Sequence, residues 1–162
     1  MLKRRIPIGI ENYREMIDGK YYYVDKTLLV KEILDHGSKV FLMTRPRRFG
    51  KTLGLSMLRT FFEDVRDESG NKVDSTHYFA GKKIMDAGAE YTCHAGKYPV
   101  IKLSLKSAKQ PDFDTAYANL VREIGKEYRR HRYVVDSDVL ATNEKNGYLD
   151  MMEGRAEYSK YT

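Results

Sequence analysis

The sequence predicts an α/β fold, and three observations carry that prediction. An apolar run, Val40 to Met43, enters a basic turn ending in Gly50, Lys51 and Thr52, and an amphipathic helical pattern follows at once. A second β-favouring run, Val100 to Leu105, precedes another helical pattern that starts at Phe113. The first of these junctions also has the strand, loop and helix order of a nucleotide-binding P-loop. There the Lys51 ammonium would reach β- and γ-phosphates as a compact point charge. Backbone N–H groups at the helix start would cradle phosphate oxygens, and the Thr52 hydroxyl would ligate Mg²⁺.

The full P-loop pattern begins with a glycine, and Arg45 stands at that position, followed by Pro46. A bare Gly-Lys-Thr tripeptide is a weak signal, so the strand before it and the helix after it carry the weight. The competing reading is an ordinary strand-turn-helix corner, with Gly50 as a turn residue and Lys51 as a solvated charge.

Composition bounds what the site can serve. A chain of 162 residues, 41% hydrophobic and 32% charged, fits one soluble domain with a real core. Its net charge of +6 favours anionic partners, nucleotide or nucleic acid, without choosing between them. The single Cys93 excludes an intrachain disulfide. No apolar run has the length of a signal peptide or membrane span, so no membrane partner is expected and a cytoplasmic setting is the default. The adjacent Cys93 and His94 lack the further ligands that zinc needs, which leaves Mg²⁺ as the expected metal.

In chain order, residues 1–39 read as a lead-in and residues 40–162 as the core. Pro7 and Gly9 make the start extended, and Glu11 to Ile17 reads as a short helix stopped by Gly19. The segment Tyr21 to Val24 is aromatic and β-favouring. Its tyrosines read as a half-buried strand, with a platform beside a nucleotide base as the alternative. Asp25 or Thr27 then caps a helix through Leu34 that ends at Gly37.

Val40 to Met43, apolar on both faces, reads as a buried parallel strand. The following helix runs from Lys51 to about Glu63; Leu53, Met57 and Phe61 make one apolar row, and Leu55, Leu58 and Phe62 the next. A polar loop from Asp64 to Thr76 turns at Gly70 and Asn71, after which Tyr78, Phe79 and Ile84 offer buried anchors. Pro99 can sit only at the start of the second strand. Asp112 caps a long helix whose basic end, Arg122 to Arg132, reads either as a nucleic-acid contact or as a solvated terminus paired with Glu123 and Glu127. Past Asp136, short helical turns are predicted at Val139 to Ala141 and around Tyr148 to Met152.

A P-loop hydrolase needs a further strand ending in acidic residues, one to hold Mg²⁺ and one to activate water. Tyr133 to Asp136 is too short an apolar run, and Glu63 and Asp64 lie at the far end of the loop's own helix. No Walker B element is read here.

Together, YYYVDKT (Tyr21 to Thr27), TRPRRFGKT (Thr44 to Thr52), LSML (Leu55 to Leu58), FFE (Phe61 to Glu63) and YPVIKLSL (Tyr98 to Leu105) resemble the bacterial AAA-ATPase-like family. The resemblance makes Arg45 a family habit. It implies an incomplete P-loop NTPase sandwich of three layers and the ASCE type, with the P-loop strand and second strand present and the Walker B and later strands absent. It also implies a downstream Walker B strand and, in many members, a C-terminal nuclease of the PD-(D/E)XK type.

The leading expectation is binding of ATP with Mg²⁺ by Arg47, Arg48, Phe49, Gly50, Lys51, Thr52 and Leu53, with Thr52 on the metal. Hydrolysis would then need acidic residues from outside this chain. The alternatives are a basic nucleic-acid-binding module using Arg45, Arg47, Arg48 and the Arg129 to Arg132 cluster, or an inactive truncated remnant. Incomplete sheet edges would favour self-association.

Overall fold

The computed structural model describes residues 5–44, 46, 48–67 and 69–156. Among them the chain forms the helices α1 (Tyr13–Asp18), α2 (Leu29–His36), α3 (Lys51–Phe62), α4 (Ala89–Thr92), α5 (Phe113–Arg130) and α6 (Thr142–Glu153). Short 3-10 turns at Thr76–Phe79 and Lys83–Asp86 lie between α3 and α4. The residues divide into two compact units, with the boundary between Val100 and Ile101.

The predicted three-layer α/β sandwich is not formed. Among the described residues there is no sheet, only isolated bridges between Glu63 and Tyr98 and between Arg66 and Lys72. Val40 to Met43 is not a strand, and no backbone–backbone hydrogen bond joins it to another described residue. Val40 is 83% exposed and Leu42 81%, so the reading of a buried parallel strand fails. The second predicted strand fails likewise, with Ile101 71% and Leu105 66% exposed. The physical reason is that a strand exists through its ladder to a neighbour, whereas a helix closes its bonds within one segment. β-branched and apolar composition favours an extended backbone but supplies no partner.

In the unit that ends at Val100, Tyr13, Val30, Met57, Phe61, Phe79 and Ile84 form the buried core. Tyr13 stacks on Phe79 at 5.2 Å, and Phe61 meets Phe79 edge-on at 5.2 Å. The predicted rows of α3 are partly realised: Met57 and Phe61 are buried, but Leu55 is 52% exposed. Ser56 and Thr60 share the buried face instead. Their polarity is satisfied, since Ser56 Oγ accepts from the Tyr13 amide at 3.0 Å and Thr60 Oγ1 donates to the Ser56 carbonyl at 2.9 Å. The first of these bonds joins the start of α1 to the middle of α3.

The end of α3 is fixed by charge. Glu63 is 4% exposed and takes Arg59 Nε at 3.0 Å, with Arg14 Nη2 of α1 at 3.7 Å.

The second unit packs α5 against α6. Asp112 caps α5 as expected, its Oδ1 accepting from the Thr115 amide at 2.7 Å. Gly125 sits at a close approach of the two helices: a Cβ there would lie 3.2 Å from the Met152 carbonyl oxygen. Tyr148 Oη donates between the carbonyls of Tyr128 and His131, at 3.0 and 2.9 Å, and burial pushes its phenol up to about 12. The helical reading around Tyr148 to Met152 holds, but it extends to a single helix of 12 residues that starts after Ala141, with Glu144 accepting from the Ala141 amide at 2.8 Å.

Candidate functional site

Among the described residues of the loop before α3, two lie in the left-handed region. Gly50, with φ 72° and ψ 25°, is the N-cap of α3, and Arg48 has φ 67°. Glycine reaches that conformation without steric cost, whereas arginine there is strained. The helical ladder opens with the Gly54 amide donating to the Gly50 carbonyl at 2.8 Å. The amides of Thr52 and Leu53 therefore precede its first rung, at the positive end of the helix dipole. No acidic residue lies in the first turn.

Lys51 turns back over this loop, and its Nζ donates to the Pro46 carbonyl at 3.1 Å. Thr52 is half-buried in the same turn, and the Leu53 side chain packs against the core. Phe49 is 57% exposed. Arg47, expected beside the phosphates, lies outside the described residues, as does Arg45.

Asp25 and Thr27 hold the neighbouring segment in place. Asp25 Oδ1 accepts from the Thr27 amide and hydroxyl at 2.9 and 2.7 Å, and Oδ2 accepts from the Lys83 amide at 2.9 Å. Thr27 is fully buried, and its Oγ1 accepts from the Ile84 amide at 3.2 Å. Burial raises the Asp25 carboxyl, but the Lys83 and Thr27 amides, the Thr27 hydroxyl and the Lys82 charge outweigh it and hold the group below its ordinary value. The Asp-Lys-Thr part of YYYVDKT is thus a clamp on the backbone at Lys83 and Ile84.

Ahead of it, burial alternates: Tyr21, Tyr23 and Asp25 are half-buried, whereas Tyr22 and Val24 are exposed. The inward side chain of Tyr23 meets Tyr13 edge-on at 5.3 Å, and burial is the main cause pushing its phenol up to about 12.

Between this segment and the start of α3 lies a cavity of about 390 Å³, reaching Ile6, Tyr22, Val24, Lys26, Phe49 and Gly50. The sequence reading did not place Ile6, Val24 or Lys26 at the loop. The signal available was the alternation in Tyr21 to Asp25, which sends every second side chain outward.

On the long helix α5, Lys126 pairs with Glu123 at 2.6 Å and Arg130 pairs with Glu127. The expected pairs thus form, but the second is not a solvated one: the Glu127 side chain is 14% exposed, and its Oε2 also accepts from the Lys102 amide at 2.9 Å. Among the described residues no group of three or more His, Cys, Asp or Glu is arranged to hold a metal, and no helix is long and apolar enough to cross a membrane.

Known proteins place the chain. The family model described as Predicted AAA-ATPase matches residues 7–160. The chain belongs to the AAA-ATPase-like family. An uncharacterized protein in the vnfD 5′ region of Azotobacter chroococcum mcd 1 is 43% identical over 63 residues, 38% of this chain. The match covers 12% of that relative's length, so the AAA-ATPase-like chain compares with only a small part of it. No solved structure matches.

Proposed function

We propose that the chain binds ATP with Mg²⁺ at the loop before α3. The observation that carries this reading is the position of Lys51, whose ammonium is held 3.1 Å from the Pro46 carbonyl, over the loop that precedes α3. A cation there, next to helix amides ahead of the first rung, is the donor set that phosphate oxygens require. Membership of a family described as Predicted AAA-ATPase agrees with it.

Residues of this chain fit the group chemically. Lys51 would exchange the Pro46 carbonyl for phosphate oxygen, and the Thr52 and Leu53 amides would donate to the same anion. The Thr52 hydroxyl is the metal ligand this turn offers, and Arg48 adds positive charge at its edge. Bound Mg²⁺ would neutralise phosphate charge. The proposal is one of binding, because the acidic residues of hydrolysis are not assigned in this chain.

A titration with fluorescent ATP and Mg²⁺ tests it, with Lys51→Ala as the control. The expected result is at least a tenfold loss of affinity in the variant. Equal binding by both proteins would overturn the reading.

A further inference from the structure

We infer that the cavity beside Gly50 receives the base of the bound nucleotide, with Tyr22 and Phe49 as its aromatic contacts; this rests on the phosphate-loop reading above.

The two sites are contiguous. The cavity of about 390 Å³ includes Gly50, Leu53 and Gly54 of the loop and first turn, so it flanks the helix end assigned to the phosphates. Its size and mixed lining fit an organic ring better than a bare ion, since small-molecule sites are concave and largely apolar with a few placed polar groups.

The lining divides by chemistry. Ile6, Tyr22, Val24 and Phe49 are 78%, 57%, 59% and 57% exposed, although the same unit buries other large apolar side chains almost completely. These four therefore surround a concavity and do not add to the core. Two of them are tied together by the main chain, because the Tyr22 amide donates to the Arg5 carbonyl at 2.8 Å. This bond holds the Ile6 segment beside the tyrosine. The cations lie toward the loop: a Cβ placed on Gly50 would sit 3.7 Å from Lys26 Nζ, and Arg48 also lines the cavity. An apolar, aromatic wall with cations at the glycine end matches a molecule with a flat ring at one end and an anionic tail at the other. Aromatic faces stack bases of any identity, so the contact recognises a nucleoside and does not depend on one particular base edge.

The test compares ATP with inorganic tripolyphosphate on wild type, Tyr22→Ala, Phe49→Ala, Ile6→Ser and Lys51→Ala, by calorimetric titration with Mg²⁺. Tyr22, Phe49 and Ile6 are each more than half exposed, so their replacement leaves the buried core intact, and circular dichroism checks this. Wild type is expected to bind ATP at least tenfold more tightly than tripolyphosphate. Tyr22→Ala, outside the phosphate loop, should reduce that margin at least threefold while binding tripolyphosphate as wild type does, and Phe49→Ala, within the loop, should reduce the same margin. A margin that persists in all three cavity variants, or is missing in wild type, would overturn the base site. If tripolyphosphate binding still depends on Lys51 in that case, the phosphate reading stands alone. If neither ligand depends on Lys51, the phosphate reading falls and takes the base site with it.

Discussion

The Asp25 carboxylate accepts a hydrogen bond from the Lys83 amide at 2.9 Å, joining residues 58 positions apart in the sequence. The same side chain holds both donors of Thr27. Asp25→Asn keeps the shape but presents an amino group where an oxygen now accepts, leaving a backbone donor unmet. The expected loss of stability is about 2 kcal/mol in urea denaturation.

Acid should act through the same carboxylate. Its value is lowered in the folded chain, so the stabilisation it gives is complete above the unfolded carboxylate value and is lost as pH falls through the folded one. Stability of wild type should therefore fall below about pH 4, and Asp25→Asn should show a shallower fall there, as read by urea midpoints across pH.

Glu63 and Arg59 should respond unequally to mutation. The Glu63 side chain is 5% exposed and that of Arg59 is 29% exposed. Glu63→Gln removes the charge that gathers two guanidinium groups and should cost about 2 kcal/mol. Arg59→Met leaves Glu63 with Arg14 at 3.7 Å, and should cost less. Chemical denaturation of both variants checks the order.

Gly50 is held by its backbone conformation and not by crowding. With φ 72° and, among the described residues, only Lys26 Nζ within 4 Å of an added Cβ, Gly50→Ala meets backbone strain more than steric clash. A loss of about 1–2 kcal/mol is expected in thermal unfolding, and Gly50→Asn should lose less, because asparagine tolerates the left-handed region.

The reverse holds at Gly125, where helical φ would welcome a side chain but the space does not. The Met152 and Met151 carbonyl oxygens would lie 3.2 and 3.3 Å from a new Cβ. Gly125→Leu should destabilise the α5–α6 pair by about 1–3 kcal/mol, seen as reduced helical signal on heating.

Several helix ends were legible from the residues themselves, but the start of α2 was not: its N-cap is Leu28 with no side-chain cap, because Asp25 and Thr27, expected there, bond to each other and to the Lys83 and Ile84 amides instead. Gly19, Gly37 and Asp112 mark their termini as read, because capping is a local matter of one or two side chains and the backbone beside them. Sheet pairing was not legible, because Val40 to Met43 carries the composition of a strand while pairing depends on what another segment does. The first half of α6 escaped for a related reason, although Tyr148 to Met152 read as helical: Thr142 to Gly147 is polar, and the buried Met151 and Met152 come only in the last turn. At the candidate site, the Gly-Lys-Thr turn was readable by spacing, but the cavity was not. Its walls come from Ile6, Tyr22 and Phe49, which are distant in sequence, and the bond from the Tyr22 amide to the Arg5 carbonyl that sets the first two side by side has no sequence signal.

The loop also marks a step in local stability. Upstream, residues 40–44 share no backbone–backbone hydrogen bond with another described residue; downstream, the ladder of α3 begins at Gly54 and runs into the core. Amide hydrogens before the loop should exchange with solvent far faster than those of Met57 to Phe61. A ligand gripping both limbs would slow exchange on the upstream side first, making isotope uptake a report on occupancy that needs no label on the nucleotide.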